Sequence, residues 1–117
     1  MKRISSGWSL MALAFGGVML FSVSNLAWGA ESPGEATFKS KCVLCHGADG
    51  TGNTPLGKQL QAADLHSPDV QKHTNAELHK IVHDGQTNMP AFADQLSDEE
   101  ITQVIKYVRT FRKSGKK

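Results

Sequence analysis

The sequence predicts an all-α fold with long loops, for three reasons. Two segments carry a helix N-terminal capping box directly ahead of apolar residues at helical spacing. No segment alternates apolar and polar residues as a half-buried strand does. Glycine and proline separate the helical patterns, and no internal repeat or second domain is visible. We therefore expect three to five short helices in one small domain.

The first thirty residues have the layout of a secretory signal peptide. Lys2 and Arg3 precede an apolar run, and small residues follow at positions 27–30. The unbroken apolar part, residues 10–21, is shorter than the roughly 20 residues that cross a bilayer core. We expect residues 1–30 to be a cleaved signal peptide, cut after position 29 or 30, and a retained membrane anchor is the weaker interpretation.

The domain that would remain, residues 31–117, is electrically balanced. The chain has 13 Lys and Arg against 11 Asp and Glu, and loss of Lys2 and Arg3 leaves 11 against 11. This balance, in an exported and thus periplasmic domain, argues against nucleic acid as a partner. Cations still crowd the C-terminus, where they complement a helix dipole or form a basic docking patch for an acidic partner protein. These cations are Arg109, Arg112, Lys113, Lys116 and Lys117.

The first helix begins after Ser32, a capping residue followed by Pro33 at the first helical position, and it leads towards two cysteines. Residues 47–57 contain four glycines and a proline, which predicts a loop without regular structure. Ser67 and Pro68 repeat the pattern of cap and proline, so a helix of one or two turns is expected there.

The two capping boxes predict the remaining helices. Thr74 and Glu77 start a helix of about ten residues, and Gly85 supplies its C-terminal stop. Ser97 and Glu100 start the last helix, which has acidic residues at its positive end. Apolar residues follow at helical spacing: Ile101, Val104, Ile105, Val108 and Phe111.

The residues that carry chemistry are Cys42, Cys45 and His46, spaced as Cys-x-x-Cys-His, the motif of covalent haem attachment. Two thiols three positions apart on a helical turn can each add to a vinyl group of the porphyrin and form a thioether. His46 then lies beside the ring, where its imidazole can bind the iron as proximal ligand. The sequence predicts one covalent haem c, with iron, as the cofactor.

Three other interpretations of the cysteines are weaker. A thioredoxin-type dithiol requires a βαβ context, and no strands are predicted. A structural zinc site requires four ligands with paired spacing, which the available His66, His73, His79 and His83 do not provide. A disulfide would close a very small loop that constrains little of the chain. Haem also compensates for a small core, since a domain of this size buries only roughly 60–65% of its unfolded surface.

Met89 is the candidate for the second axial ligand. It is the one methionine of four that lies beyond residue 30, and Pro90 fixes the course of the chain beside it. Thioether sulfur on the iron raises the reduction potential. His83 is the rival ligand, although a histidine near a helix end more often faces solvent. A carbonyl near Pro55 or Leu56 is expected to accept the other imidazole hydrogen bond of His46.

Apolar residues in the same segments are candidates to line the haem site. They are Leu56, Leu60, Leu65, Ile81, Phe92 and Leu96.

With these motifs in place, the chain resembles the class I monohaem c-type cytochromes, in particular small bacterial ones. The matching stretches are residues 38–47, 85–92 and 99–108. The resemblance implies N- and C-terminal helices that cross near a right angle, through Gly34 and Phe38 against Tyr107. It also implies ligation by His46 and Met89, and a haem edge partly exposed for electron transfer.

The expected function is that of an electron carrier and not of an enzyme, because His46 and Met89 would leave no axial position for a substrate. Its partners would be redox proteins that donate and accept one electron. One alternative is an electron-accepting subunit of a periplasmic dehydrogenase or of a membrane oxidase complex. A second alternative, of another class, is a five-coordinate haem sensor or peroxidase in which Met89 leaves the iron.

Overall fold

The computed structural model describes residues 16–17 and 29–114, and these residues are helical with loops between the helices. The helices are α1 Pro33–Lys41, α2 Val43–His46, α3 Pro55–Leu60, α4 Pro68–Gln71, α5 Asn75–Asp84 and α6 Asp98–Ser114. In these residues no β-strand occurs, and the only extended pairing is an isolated bridge between Gln86 and Met89. The all-α prediction is confirmed, with six helices in place of the expected three to five.

The predicted signal peptide, residues 1–30, lies almost entirely outside the described residues. Within residues 16–17 and 29–114, no helix is both long enough and apolar enough to span a bilayer.

The three strongest capping predictions are confirmed. Ser32 accepts a hydrogen bond from the Glu35 backbone N–H at 3.1 Å at the start of α1. Thr74 and Glu77 form the reciprocal capping box of α5, which ends at Gly85 after 10 residues. At α6, the Ser97 N–H donates to the Glu100 carboxylate at 2.8 Å, and the Glu100 N–H donates to the Ser97 hydroxyl at 3.2 Å.

The prediction that residues 47–57 lack regular structure is wrong at their C-terminal end, where Pro55 opens α3. The Thr54 hydroxyl accepts the Gly57 N–H at 2.8 Å, so Thr54 and Pro55 form the same cap-and-proline pair as Ser67 and Pro68. A hydroxyl cap and a preset proline φ outweigh the local density of glycine.

Helices α1 and α6 pack in direct backbone contact. A Cβ placed on Gly34 would lie 2.0 Å from the Gln103 carbonyl oxygen, so only glycine permits this approach. Phe38 of α1 is buried against two aromatic rings of α6, with centroids 5.2 Å from Tyr107 and 5.5 Å from Phe111. The contact through Gly34, Phe38 and Tyr107 that the family resemblance implied is therefore present.

The apolar core consists of two clusters that share α6. One lies between α5, the segment after it and α6, and its buried residues are Leu78, Phe92, Leu96, Ile101 and Ile105. The other lies between α1, the α3–α4 segment and α6, and its buried residues are Phe38, Leu65, Val104 and Phe111. Four of the five apolar positions predicted for the last helix are buried, and Val108 is half-buried.

Two of the C-terminal cations are bound within the fold. The Arg109 guanidinium donates to the Gln71 carbonyl at 3.1 Å, to the Asn75 side chain at 3.0 Å and to the His73 carbonyl. Arg112 also donates to the Gln71 carbonyl. These arginines therefore connect α6 to the end of α4 and the start of α5, a role that neither sequence interpretation of the basic C-terminus included.

Candidate cofactor site

A cavity of about 560 Å³ opens between the α2–α3 segment and the α5–α6 pair. Its volume falls within the range of roughly 300–1,000 Å³ that small-molecule and cofactor sites occupy. The four residues singled out in the sequence, Cys42, Cys45, His46 and Met89, all line this cavity. Cys42 and Met89 are 47 positions apart in the chain, and the fold brings both to this cavity.

The one-turn helix α2 places both cysteines on the same side. The backbone N–H groups of Cys45 and His46 both donate to the Cys42 carbonyl, at 3.2 and 2.9 Å. Residues three apart on such a turn face the same direction. The two sulfurs are not joined in a disulfide. Leu44, between them, is 72% exposed.

The environment of Cys42 disfavours a charged sulfur. Burial, together with the neighbouring Cys45, raises the pKa of the Cys42 thiol to about 11. A reactive or metal-binding cysteine requires the opposite shift, towards the thiolate. A neutral thioether carries no charge and suits the same apolar wall without this desolvation cost.

His46 is oriented by the backbone carbonyl of Ala63, whose oxygen lies 3.0 Å from the imidazole Nδ1. A carbonyl oxygen only accepts, so Nδ1 carries the proton and Nε2 keeps its lone pair for a ligand bond. The predicted acceptor near Pro55 or Leu56 is therefore wrong. Pro55 and Leu56 instead form the first turn of α3. After this helix, Gln61 has a left-handed φ of 57°, and the chain turns back so that the Ala63 carbonyl faces His46.

Met89 closes a tight turn after α5. The N–H and carbonyl groups of Gln86 and Met89 bond to each other at 3.0 and 2.7 Å. Thr87 has a φ of +47°, a left-handed conformation that is unusual for a β-branched residue. The Asn88 side chain donates to the Leu60 carbonyl at 3.0 Å and so fastens the turn to α3 across the cavity.

The segment after Met89 returns to the helix from which the turn began. The N–H groups of Phe92 and Ala93 donate to the carbonyls of Val82 and His83, at 3.0 and 3.1 Å. These carbonyls belong to the last turn of α5, where backbone carbonyls have no hydrogen-bond donor within the helix. The loop that carries Met89 is therefore held at both ends and in the middle.

Five of the six apolar residues predicted to line the site do so: Leu56, Leu60, Leu65, Ile81 and Phe92. Leu96 does not line the cavity but lies in the core cluster beneath α6. The sequence reasoning missed further wall residues on α5 and α6, whose helical spacing marks them as buried without distinguishing core from cavity. These are Leu78, Val82, Val104, Ile105 and Val108.

The structure also places the four other histidines. His83, the rival ligand, is not among the residues that line the cavity and bonds to Asp84 on the outer side of α5. His73 does line the cavity, and its Nδ1 lies 3.4 Å from the Glu77 carboxylate. His66 contacts the backbone carbonyls of Asp49 and Phe111, and His79 lies near Asp98.

Comparison with known proteins identifies the family of this chain. Residues 29–108 match the family model described as cytochrome c oxidase, cbb3-type, subunit III. The chain is 33% identical over 109 residues to cytochrome c6 of Synechocystis sp., an alignment that covers 92% of this chain and 87% of the relative. It is also 33% identical over 91 residues to the cbb3-type cytochrome c oxidase subunit CcoP of Cereibacter sphaeroides, covering 72% of this chain but 31% of that one.

The fold has a matching solved structure. The KustC0563 c-type cytochrome superimposes with a TM-score of 0.62 and 29% sequence identity, covering 67% of this chain and 95% of that one.

Proposed function

The chain belongs to the c-type cytochromes as a small monohaem electron-transfer protein, and from this premise we propose that it shuttles single electrons between redox proteins with His46 and Met89 as axial ligands. The observation that carries the proposal is that both side chains, together with Cys42 and Cys45, line one cavity of cofactor size. A covalent haem c is the cofactor of the family, and the apolar wall and the two cysteines on one helical turn fit this group.

The four residues divide three roles in the proposal. Cys42 and Cys45 would hold the haem through two thioether bonds. His46 would bind the iron through Nε2, which keeps its lone pair because Nδ1 donates to the Ala63 carbonyl. Met89 would supply its sulfur from the opposite loop, which Asn88 fastens to α3.

The bound haem supplies an iron that alternates between the ferric and ferrous states. The protein positions the haem and excludes water from the iron. Phe92, Ile81 and Leu65 present apolar surface to the cavity and keep water from it. The hydrogen-bonded turn at Met89 would keep its sulfur beside the iron and leave no position there for a substrate, which supports the proposal of a carrier. Methionine sulfur, as a ligand, raises the reduction potential relative to histidine.

The proposed location is the periplasm, and the proposed partners are redox proteins that donate and accept one electron. The location is supported by the order of charged, apolar and small residues over positions 1–30. Such partners associate through small, transient interfaces, because fast turnover requires rapid dissociation.

The experiment that tests this function combines voltammetry with carbon monoxide binding on the haem-loaded protein. We expect one reversible one-electron wave and negligible carbon monoxide binding by the ferrous protein at neutral pH. A Met89→Ala variant is the matched control and should bind carbon monoxide rapidly. Rapid binding by the wild-type protein would contradict the proposal and favour a five-coordinate sensor or peroxidase.

A second candidate function is that of an electron-accepting subunit of an oxidase or dehydrogenase complex. The specific support is the match of residues 29–108 to the family model named for subunit III of the cbb3-type oxidase. Co-purification with a membrane complex at moderate salt would favour this role, and recovery as a free monomer would favour the shuttle.

A further inference from the structure

Outside the cofactor cavity, two histidines lie one helical turn apart on the flank of α5. His79 and His83 are four residues apart, and their rings stack with centroids 6.1 Å apart and planes inclined by 19°. Their side chains are 29% and 43% exposed, so both imidazoles are partly accessible to solvent. Histidines at positions i and i+4 of one helix are a recurrent pair of ligands for zinc and related ions, because both nitrogens can reach one point.

Two carboxylates lie beside this pair, and one of them, Asp84, is also ion-paired with Lys80 at 2.5 Å. Asp84 lies 2.6 Å from His83 Nδ1, and since a carboxylate accepts, the proton sits on Nδ1 and the Nε2 lone pair is free. This is the same outer-sphere contact that orients histidine ligands in metalloproteins. Asp98, at the first turn of α6 and 81% exposed, has an oxygen 3.3 Å from His79 Nε2.

We propose that His79 and His83 bind one divalent transition-metal ion from solution, of the class of Zn²⁺, Ni²⁺ or Cu²⁺, with the Asp98 carboxylate as a third ligand. Nothing in the proposed electron-transfer role requires these residues. In the part of the chain that the structure describes, no three His, Cys, Asp or Glu side chains are already clustered for a metal. Binding therefore requires the exposed Asp98 side chain and one of the two imidazole rings to move towards the ion. Water would fill the remaining coordination positions of the ion.

The ligand types determine the metal preference. Imidazole nitrogens favour zinc, nickel and copper, with Cu²⁺ bound most tightly along the divalent series. Mg²⁺ and Ca²⁺ prefer all-oxygen sites and should not compete. The ion would connect α5 to the first turn of α6, and so it would stabilise the folded protein in proportion to its occupancy.

The test is calorimetric titration of the haem-loaded full chain with ZnCl₂ and, separately, with NiCl₂. We expect one site per chain, and no binding of MgCl₂. His79→Ala and His83→Ala should each abolish saturable binding at this site, whereas Asp84→Ala should weaken it about tenfold by removing the partner of His83 Nδ1. Lys106→Ala is the control, since this exposed residue of α6 lines neither the cofactor cavity nor the histidine pair, and it should bind as the wild type does.

A second readout distinguishes lost ligands from lost folding. The melting temperature of the wild type should rise with added ZnCl₂, and that of the His79→Ala/His83→Ala double variant should not. In metal-free buffer the two proteins should have the same haem absorption and the same helical circular dichroism, which shows that the variant is folded. Zinc binding by the double variant with wild-type affinity would overturn the proposal. Absence of saturable zinc and nickel binding by the wild type would overturn it equally.

Discussion

Two side-chain hydrogen bonds hold the residues that are proposed to bind the iron. His46 is oriented by the Ala63 carbonyl at 3.0 Å, and the Met89 turn is fastened to α3 by one bond from Asn88 to the Leu60 carbonyl, also 3.0 Å. Each contact joins a predicted ligand or its neighbour to a backbone oxygen. Orientation at this site therefore depends on single hydrogen bonds whose removal has a measurable consequence.

Asn88→Ala should loosen the Met89 turn without removing the proposed ligand. A hydrogen bond of this kind contributes about 0.5–1.5 kcal/mol. The affinity of the ferric protein for added imidazole, which has to displace Met89, should therefore rise roughly 2- to 10-fold. Gln59→Ala, at an exposed position of α3, is the control and should leave the affinity unchanged. Equal imidazole affinity in Asn88→Ala and wild type would contradict this role.

At the scale of residues, the sequence singled out four positions that the structure places at one cavity. Cys42, Cys45 and His46 were chosen because their spacing matches the haem attachment motif, and Met89 because it is the one methionine beyond residue 30. The partner of His46 could not, because Ala63 acts through its backbone oxygen, a group that every residue carries. Its place depends on the turn at Gln61.

At the scale of elements, the two long helices after residue 74 begin with capping boxes whose glutamates are titratable. The Thr74 N–H donates to Glu77 and the Ser97 N–H donates to Glu100, and these bonds hold the pKa of both carboxyls below their ordinary value of 4.5. A lowered folded-state pKa means that the unfolded chain binds more protons in mild acid. The stabilisation is complete above the unfolded pKa and is lost as the pH falls through the folded one.

Glu77→Gln/Glu100→Gln should therefore flatten the acid side of the stability profile. Glutamine keeps an oxygen that can accept the cap N–H but does not titrate. The fall in melting temperature between about pH 6 and about pH 3 should be smaller than in the wild type. Thr74→Ala is the contrast, since it removes a cap acceptor and should lower stability by about 1 kcal/mol at both pH values. An unchanged acid dependence in the double variant would refute the assignment.

Gly34→Ala should separate α1 from α6. The added Cβ would lie 2.0 Å from the Gln103 carbonyl oxygen, and this contact is with backbone, which cannot rotate away. We expect a loss of about 1–3 kcal/mol in the free energy of unfolding by denaturant. Ala36→Ser, at an exposed position of the same helix, should change it by less than about 0.5 kcal/mol. Equal stability of Gly34→Ala and wild type would mean that the helices can move apart freely.

Helix boundaries were predicted where the signal is local and chemical. Ser32, Thr74 and Ser97 each cap a helix through a side chain three residues from its donor, so the sequence contains both partners. The start of α3 was missed because the glycines around Thr54 and Pro55 were given more weight than the cap itself. Which wall residues face the cavity and which face the core depends on how α5 and α6 are rotated, and that is set by contacts across the whole fold.

At the scale of the whole molecule, Arg109 joins segments that are far apart in the chain. Its guanidinium contacts Gln71, His73 and Asn75, 34 to 38 residues away. Gln71, buried at 5% exposure, in turn donates to the carbonyls of Leu65 and Val108. This network connects α6 to the segment between α3 and α5, on which one side of the cavity depends.

Arg109→Lys keeps the charge but removes the planar fork that makes these contacts. We expect the free energy of unfolding to fall by about 1–3 kcal/mol. Lys106→Ala, an exposed cation of the same helix, should change it by less than about 0.5 kcal/mol. If Arg109→Lys were as stable as the wild type, charge alone would explain the arginine, as the helix-dipole interpretation of the basic C-terminus implies.

The fold class followed from periodicity and caps, and the family resemblance anticipated the contact of the terminal helices. The arginine network did not follow, because a basic C-terminal sequence has the same composition whether its side chains face solvent or a buried carbonyl. Sequence alone gives the charge of Arg109 and Arg112, and only the packing of α4 beneath α6 determines their acceptors.

The central claim is that His46 and Met89 hold one haem iron from opposite walls of a single cavity. Methionine sulfur on ferric iron produces a weak charge-transfer band in the near infrared. The most direct measurement is this spectrum for the oxidised wild type and for Met89→Ala. We expect the band in the wild type and its loss in the variant, together with a lower reduction potential. Persistence of the band in Met89→Ala, or its absence from the wild type, would contradict the claim.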